Sequence, residues 1–314
     1  ARNVVEMNLV ADVASTYFAL KDFQEKLLLS QNTITLRERA YKIAKLRKEN
    51  GMVSGLDVRQ AEVELESAKV TIPSLQLQQL ETMNRLKLLL ADEVMQSIAG
   101  LDLSKQILPL SIPVGIPSQV LLRRPDILQV EEQLHKATAE VGMATANLFP
   151  KITLTSEFGF ESGELSGLLS GDSSYWEVVG GITQPIFNAG KLRNNLTAAE
   201  ERANQATLLY KKVVMNAFLE VSNQLMAYKS SQTIYKAQKK LLDAANEYER
   251  LARIRYRNGV ASALDFMDAQ RKLFDAQLSF SSAKKGRLNA FVNLYKVLGG
   301  GWSEERSDEY SGDS

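Results

Sequence analysis

Lys191 to Asn258 reads KLRNNLTAAEERANQATLLYKKVVMNAFLEVSNQLMAYKSSQTIYKAQKKLLDAANEYERLARIRYRN, 68 residues without a glycine or a proline. Those two residues are the strongest helix breakers, so their absence over this length predicts one helix of about 100 Å. Core helices of globular domains are far shorter. Three further stretches share the property. Residues 1–50 contain neither breaker, Pro73 alone interrupts Leu56 to Ala99, and Gly286 alone interrupts Val260 to Leu298. Apolar residues recur at spacings of three and four, as in Val10, Val13, Tyr17 and Leu20, and again in Phe218, Val221, Leu225 and Tyr228. That is the pattern of coiled-coil-like rods.

A shift of 208 residues lays the second of these sets on the first without a gap. Asn8 falls on Asn216, Val13 on Val221, Arg47 on Arg255, Leu56 on Leu264 and Ala61 on Ala269. A constant offset over such a length marks an internal duplication. Each repeat reads as a helix, a turn and a returning helix. The turns are Asn50-Gly51 and Asn258-Gly259, residue types that tolerate positive φ at a helix end. Ser54-x-x-Asp57 and Ser262-x-x-Asp265 follow as capping boxes, with Asp in place of the usual Glu.

Between the repeats the character changes twice. Residues 100–124 are irregular, with Pro109, Pro113 and Pro117, and read as a linker or belt. Pro125-Asp126 opens a helix over 125–147, with proline in the first-turn position it tolerates. A β-hairpin is expected over 148–188. In Lys151 to Phe160, Ile152, Leu154, Phe158 and Phe160 share one face, opposite Lys151, Thr153, Thr155 and Glu157. The second strand is expected from Tyr175 to Phe187, with Trp176, Val178, Ile182 and Ile186 on one face. Alternating segments of about ten residues fit a tilted membrane-spanning strand, and Tyr175 and Trp176 at a strand end fit an interfacial aromatic position. A soluble β-ribbon lying on its own helices fits the alternation equally well. The second helical hairpin spans 189–298, and the polar, acidic tail 303–314 reads as disordered.

Composition excludes several classes. The net charge of +1, with Lys and Arg spread along the chain, offers no nucleic-acid surface. There is no cysteine, and His135 is the only histidine, so neither thiol chemistry nor a transition-metal site is expected. No P-loop, dinucleotide fingerprint, nucleophile elbow or His-based dyad occurs, and neither an enzyme nor a cofactor is expected. No apolar run is long enough for a transmembrane helix, which leaves an alternating barrel open. The sequence opens in helical residues without a signal peptide and is expected to be a mature or truncated product.

The order of these parts resembles the TolC-type outer-membrane channel family, and in detail its OprM-like, multidrug-efflux branch. The residues that carry the likeness are Leu121 to Ile127 (LLRRPDI), Leu148 to Ile152 (LFPKI), Pro185 to Arg193 (PIFNAGKLR), Arg255 to Gly259 (RYRNG), Asp268-Ala269-Gln270, Leu294-Tyr295-Lys296 and Gly299 to Trp302. The likeness implies a homotrimer that is mainly α with a small β part. The duplicated helical hairpins would form a periplasmic α-barrel, and the β-hairpins a shared barrel in outer-membrane lipid. Its implied partners are a periplasmic adaptor protein and an inner-membrane pump, with gating at the hairpin tips. The family normally carries a first β-hairpin, and often a lipidated cysteine, ahead of the first helical pair. The sequence at Ala1 already lies near that pair, so three such chains are expected to offer six strands instead of twelve.

The likeness also implies roles for single residues. Leu264 and Asp268 share one helix face four residues apart and match the rings that constrict the periplasmic aperture. Three carboxylates in a ring would repel anions and narrow the passage. Arg255, Tyr256 and Arg271 match positions that hold the tips shut. Asn50, Gly51, Asn258 and Gly259 sit at the tips, facing the adaptor. Read without the likeness, Leu264 is an apolar contact, Asp268 a solvated helix face, and the arginines surface charge. A type I protein-secretion duct and a soluble coiled-coil scaffold are the rival functions.

Overall fold

The computed structural model describes residues 2–91, 102–106, 124–161, 163 and 174–300. The expected tail, most of the belt and the Leu-Leu-Arg part of the 121–127 motif lie outside them. The elements are α1 (Arg2–Glu49), α2 (Gly55–Leu90), a 3-10 turn (Leu103–Lys105), α3 (Pro125–Ala146), β1 (Lys151–Phe160), β2 (Ser174–Thr183), α4 (Lys191–Arg257) and α5 (Ala263–Val297). The chain divides into two compact units, 1–125 with 216–314, and 126–215.

In the first unit the turns follow from local chemistry. Gly51 and Gly259 both take φ of 71°, a left-handed conformation that a Cβ would strain. Ser54 then caps α2 and Ser262 caps α5. Each hydroxyl accepts from the N–H of the aspartate three residues on, and that carboxylate accepts from the serine N–H. Helix α2 continues through Pro73. Helices α1, α2 and α5 pack on one another. Along α5 the buried alanines Ala269, Ala276, Ala283 and Ala290 repeat every seven residues, and Ala61 and Ala68 do so in α2. A heptad of the smallest side chain keeps one seam facing its neighbours and lets the backbones approach. Larger buried side chains, Leu20, Leu86 and Leu294, fill between them.

Aromatic pairs join α4 to α5. Tyr235 lies 5.3 Å from Phe280 and Tyr228 lies 6.5 Å from Phe291, centroid to centroid. At the end remote from the turns, buried Arg124 donates to the Val297 carbonyl at 3.2 Å and to Glu220 at 2.8 Å, tying those two helices together.

One cluster in this unit is both charged and buried. Asp22 of α1 has 0% exposure. It pairs with Lys26 at 2.9 Å and Lys285 at 3.0 Å and accepts from the Ser281 hydroxyl at 2.7 Å. Glu25 pairs with Lys284 and accepts from Ser281 at 3.2 Å. A carboxylate leaves water only when such partners replace its hydration.

In the second unit, β1 and β2 form an antiparallel pair in which Ile152 faces Ile182 and Phe158 faces Trp176. The second strand ends at Thr183, four residues short of the sequence expectation. Prolines explain it. Lys151 pairs with Thr183, and the next rung would oppose Pro150 to Gln184, followed by Pro185; neither proline has an N–H to donate. The Gln184 side chain instead donates to the Leu148 carbonyl at 3.1 Å. Ile186 consequently lies beyond the ladder. Among the described residues no helix is long and apolar enough to cross a membrane.

Candidate functional site

The predicted gate residues lie beside the two turns. Asp268, one turn into α5, is held from three sides. Arg271 donates to it at 2.5 Å, Lys272 pairs with it at 2.9 Å, and the Tyr248 hydroxyl donates at 3.3 Å from α4. The hydrogen bond from Lys272 is the main reason its carboxyl sits below the ordinary range, with the charges of Lys272 and Arg271 adding to it. Lys272 is raised in turn by that hydrogen bond. The sign of the pH dependence follows. A depressed carboxyl contributes stability above the ordinary carboxylate range, and that contribution is lost as pH falls through the range towards the lower folded value. The stability difference between the protein and its Asp268→Asn variant is therefore expected to be full at neutral pH and to shrink on acidification, as chemical unfolding at stepped pH would show.

Arg271 also reaches Glu64 of α2 at 3.6 Å, and Glu64 pairs with Arg37 of α1 at 3.2 Å. Burial pulls the Arg37 guanidinium below its ordinary value, against the upward pull of Glu64. A chain of charges thus runs α1–α2–α5 just above the turns. Leu264, 57% exposed, borders the same recess of about 570 Å³, with Leu56, Val63, Glu64, Asp268 and Arg271.

Tyr256 belongs to a different group. Its ring stacks on Phe266 at 5.3 Å with 9° between the planes, and its hydroxyl accepts from Arg47 of α1 at 2.9 Å. It borders a second recess of about 330 Å³ with Arg47, Arg253 and Phe266. Arg255 stands exposed, and its backbone carbonyl accepts from Val260 and Ala261 to close the turn. The structure therefore joins Leu264, Asp268 and Arg271, sets Tyr256 apart, and gives the tyrosine contact to Arg47, the repeat counterpart of Arg255.

Sequence reasoning missed Lys272, Tyr248, Glu64, Arg37 and Arg47. A signal existed for Lys272, four residues after Asp268, and for Arg47, through the repeat. Neither Glu64 nor Arg37 had one. Asn50, Gly51, Asn258 and Gly259 are all exposed at the turns, and the Asn50 amide donates to the Leu46 carbonyl at 2.8 Å.

On the hairpin, the two adjacent aromatics point to opposite faces. Trp176, 76% exposed, stands with Ile152, Leu154, Phe158, Val178 and Ile182 on an exposed, largely apolar side, which Ser156 opposite Val178 and Ser174 opposite Phe160 interrupt. Tyr175 stands on the other, where Glu157 opposes Glu177, and its hydroxyl bonds the Glu157 carboxylate. Among the described residues no group of His, Asp and Glu could hold a metal ion.

Two long capped hairpins with an alternating β-hairpin between them define an architecture that can be compared with known proteins. The family described as outer membrane efflux protein matches residues 1–92 and 116–300. The chain belongs to this family. It is 38% identical over 306 residues to the probable efflux pump outer membrane protein TtgC of Pseudomonas putida, covering 97% of this chain and 63% of that protein. It is 35% identical over 308 residues to the outer membrane protein OprJ of Pseudomonas aeruginosa, covering 98% of this chain and 64% of the relative. The chain thus spans just under two thirds of the curated relatives it matches. Among solved structures, the open-state MtrE outer membrane channel of Neisseria gonorrhoeae superposes with a TM-score of 0.86 at 34% identity, over 96% of this chain and 68% of that one. The fold is that of the TolC-type channels, mainly α with a small β part, and the family is one of outer-membrane efflux channels and not of enzymes.

Proposed function

We propose that this chain is the outer-membrane exit duct of a tripartite efflux pump. It conducts small toxic compounds passively from periplasm to exterior, without catalysis and without a cofactor. The single observation that carries this is the pairing of long hairpins closed by a charge network at their turns with a β-hairpin whose whole apolar face is exposed. A hairpin with that face in water is marginal, so outer-membrane lipid is its proper surroundings. Trp176 then marks the interface with lipid, and Tyr175 stands with Glu157 and Glu177 on the face turned from it.

In this reading three copies assemble, and Leu264 and Asp268 form the aperture. Arg271 holds it through Asp268 and Glu64, while Tyr256 anchors α4 to α1 through Arg47, with Arg255 closing the turn beside it. The adaptor protein meets the turns at Asn50-Gly51 and Asn258-Gly259, and the inner-membrane pump supplies the energy. Exposed ion pairs are each worth only about 0–1 kcal/mol, so a gate built of several stays reversible. A protein-secretion duct would share the fold. Efflux is favoured because the relatives at 35–38% identity are named as efflux components, TtgC among them, or, like OprJ, as outer membrane proteins.

Asp268→Ala removes the acceptor shared by Arg271, Lys272 and Tyr248. The expected result is a several-fold rise in single-channel conductance in planar bilayers. Conductance equal to that of the unmodified protein would remove Asp268 from the gate, and the absence of any channel in either protein would count against the duct.

A further inference from the structure

The two recesses beside the turns differ in charge. The gate recess is lined by three acids, Glu64, Asp265 and Asp268, and by two arginines, Arg59 and Arg271. The recess of about 330 Å³ beside Tyr256 is lined by four arginines, Arg39, Arg47, Arg253 and Arg257, and by one acid, Asp57. The whole chain nets only +1, so this excess is local.

The four arginines are not equally engaged. Arg253 donates from Nε and Nη2 to buried Glu249, at 3.0 and 2.6 Å. Arg47 meets the neutral Tyr256, by its hydroxyl at 2.9 Å and by its ring. Arg39 and Arg257 are exposed and make no ion pair or hydrogen bond among the described residues. The Asp57 carboxylate is taken up by the N–H and hydroxyl of Ser54, each at 2.9 Å, in the cap of α2. The internal repeat sharpens the contrast. The counterparts of Arg39 and Arg257 are Glu247 and Glu49, so the duplicated rods carry opposite charge at these positions. Between the arginines the wall is apolar, with Ile43, Phe266 and Met267. A concave apolar wall of this size with a few convergent charges is the form of a small-molecule site.

We infer that this recess binds a small aromatic monoanion, an aryl carboxylate or sulfonate, between Arg39 and Arg257. A guanidinium pairs with such an anionic group through parallel hydrogen bonds and stacks on an aromatic face. Phe266 and the Met267 thioether offer the ring its apolar contacts. Cations are repelled by the same four arginines. Arg39 stands on α1 and Arg257 on α4, so one anion held by both links the helices that Arg47 and Tyr256 already join. An occupied recess then resists parting of α1 from α4 beside the turns, and the ligand keeps the gate shut. The effect on gating rests on the proposed function, and the binding does not.

The test titrates 2-naphthalenesulfonate into the purified chain in non-ionic detergent by calorimetry, against detergent alone. The expected result is one saturable site per chain that weakens as salt is raised. Arg39→Gln with Arg257→Gln is expected to bind at least ten-fold more weakly. Lys211→Gln with Lys212→Gln removes as much charge from exposed positions elsewhere on α4 and is expected to bind as the unmodified protein does. The uncharged 2-naphthylmethanol is expected to bind at least ten-fold more weakly than the sulfonate. Absence of a saturable site, or equal binding by the double arginine variant or by the alcohol, overturns the assignment and leaves the duct reading standing. In planar bilayers the sulfonate is expected to reduce channel openings several-fold in the unmodified protein and not in the double arginine variant. Saturable binding without that reduction overturns the brace. A protein that forms no channel overturns the duct, while the titration still decides the site.

Discussion

Asp22→Ala is expected to destabilise the protein by about 3 kcal/mol, the low end of what breaking a buried ion pair costs. The substitution leaves Lys26 and Lys285 without their shared acceptor and the Ser281 hydroxyl with Glu25 alone. Both lysine side chains keep some exposure, 14% and 27%, which lets their ammonium groups reach water and limits the loss. Urea unfolding of the two proteins gives the difference directly. Replacing Asp22, Lys26 and Lys285 together by leucine is expected to recover most of it, since neither lysine of the cluster is then left without its carboxylate. A single substitution that cost nothing would show that the cluster does not hold α1 to α5.

The second large effect separates two leucines that the sequence makes equivalent. Leu288→Ala should cost about 2–5 kcal/mol, through lost burial and the cavity left behind. Its counterpart Leu80→Ala should stay within about 0.5 kcal/mol in the separated chain, as surface substitutions do. Leu80 is 59% exposed where Leu288 is 3%. Urea unfolding curves of the two variants check both. Equal losses of stability from the two would mean that Leu80 is covered within the chain.

The two leucines also show where sequence reading stops. The turns and the caps were legible because each rests on residues within a few positions of one another, and the duplication because a constant offset of 208 residues needs no packing to be read. Gly51 and Gly259 need only their own backbone, and Ser54 needs only Asp57. The bounds of β1 were legible from alternation alone. The end of β2 was not, because Ile186 keeps the alternation going after Pro185 and Pro150 have ended the ladder. The repeat made Arg47 and Arg255 look alike, and packing alone decided that Arg47 meets Tyr256. For Asp22 the sequence offered only Lys26, four residues on, since Lys285 and Ser281 come to it from the other end of the chain. Tyr175 and Trp176 were read as a pair, although a strand sends neighbours to opposite faces.

The measurement that tests the central claim most directly is the mass of the purified protein by light scattering, in detergent and in plain buffer. A channel subunit with an exposed apolar hairpin should be a trimer in detergent and should aggregate or precipitate without it. A monomer or dimer, stable and soluble in plain buffer, would contradict the duct and favour a coiled-coil scaffold.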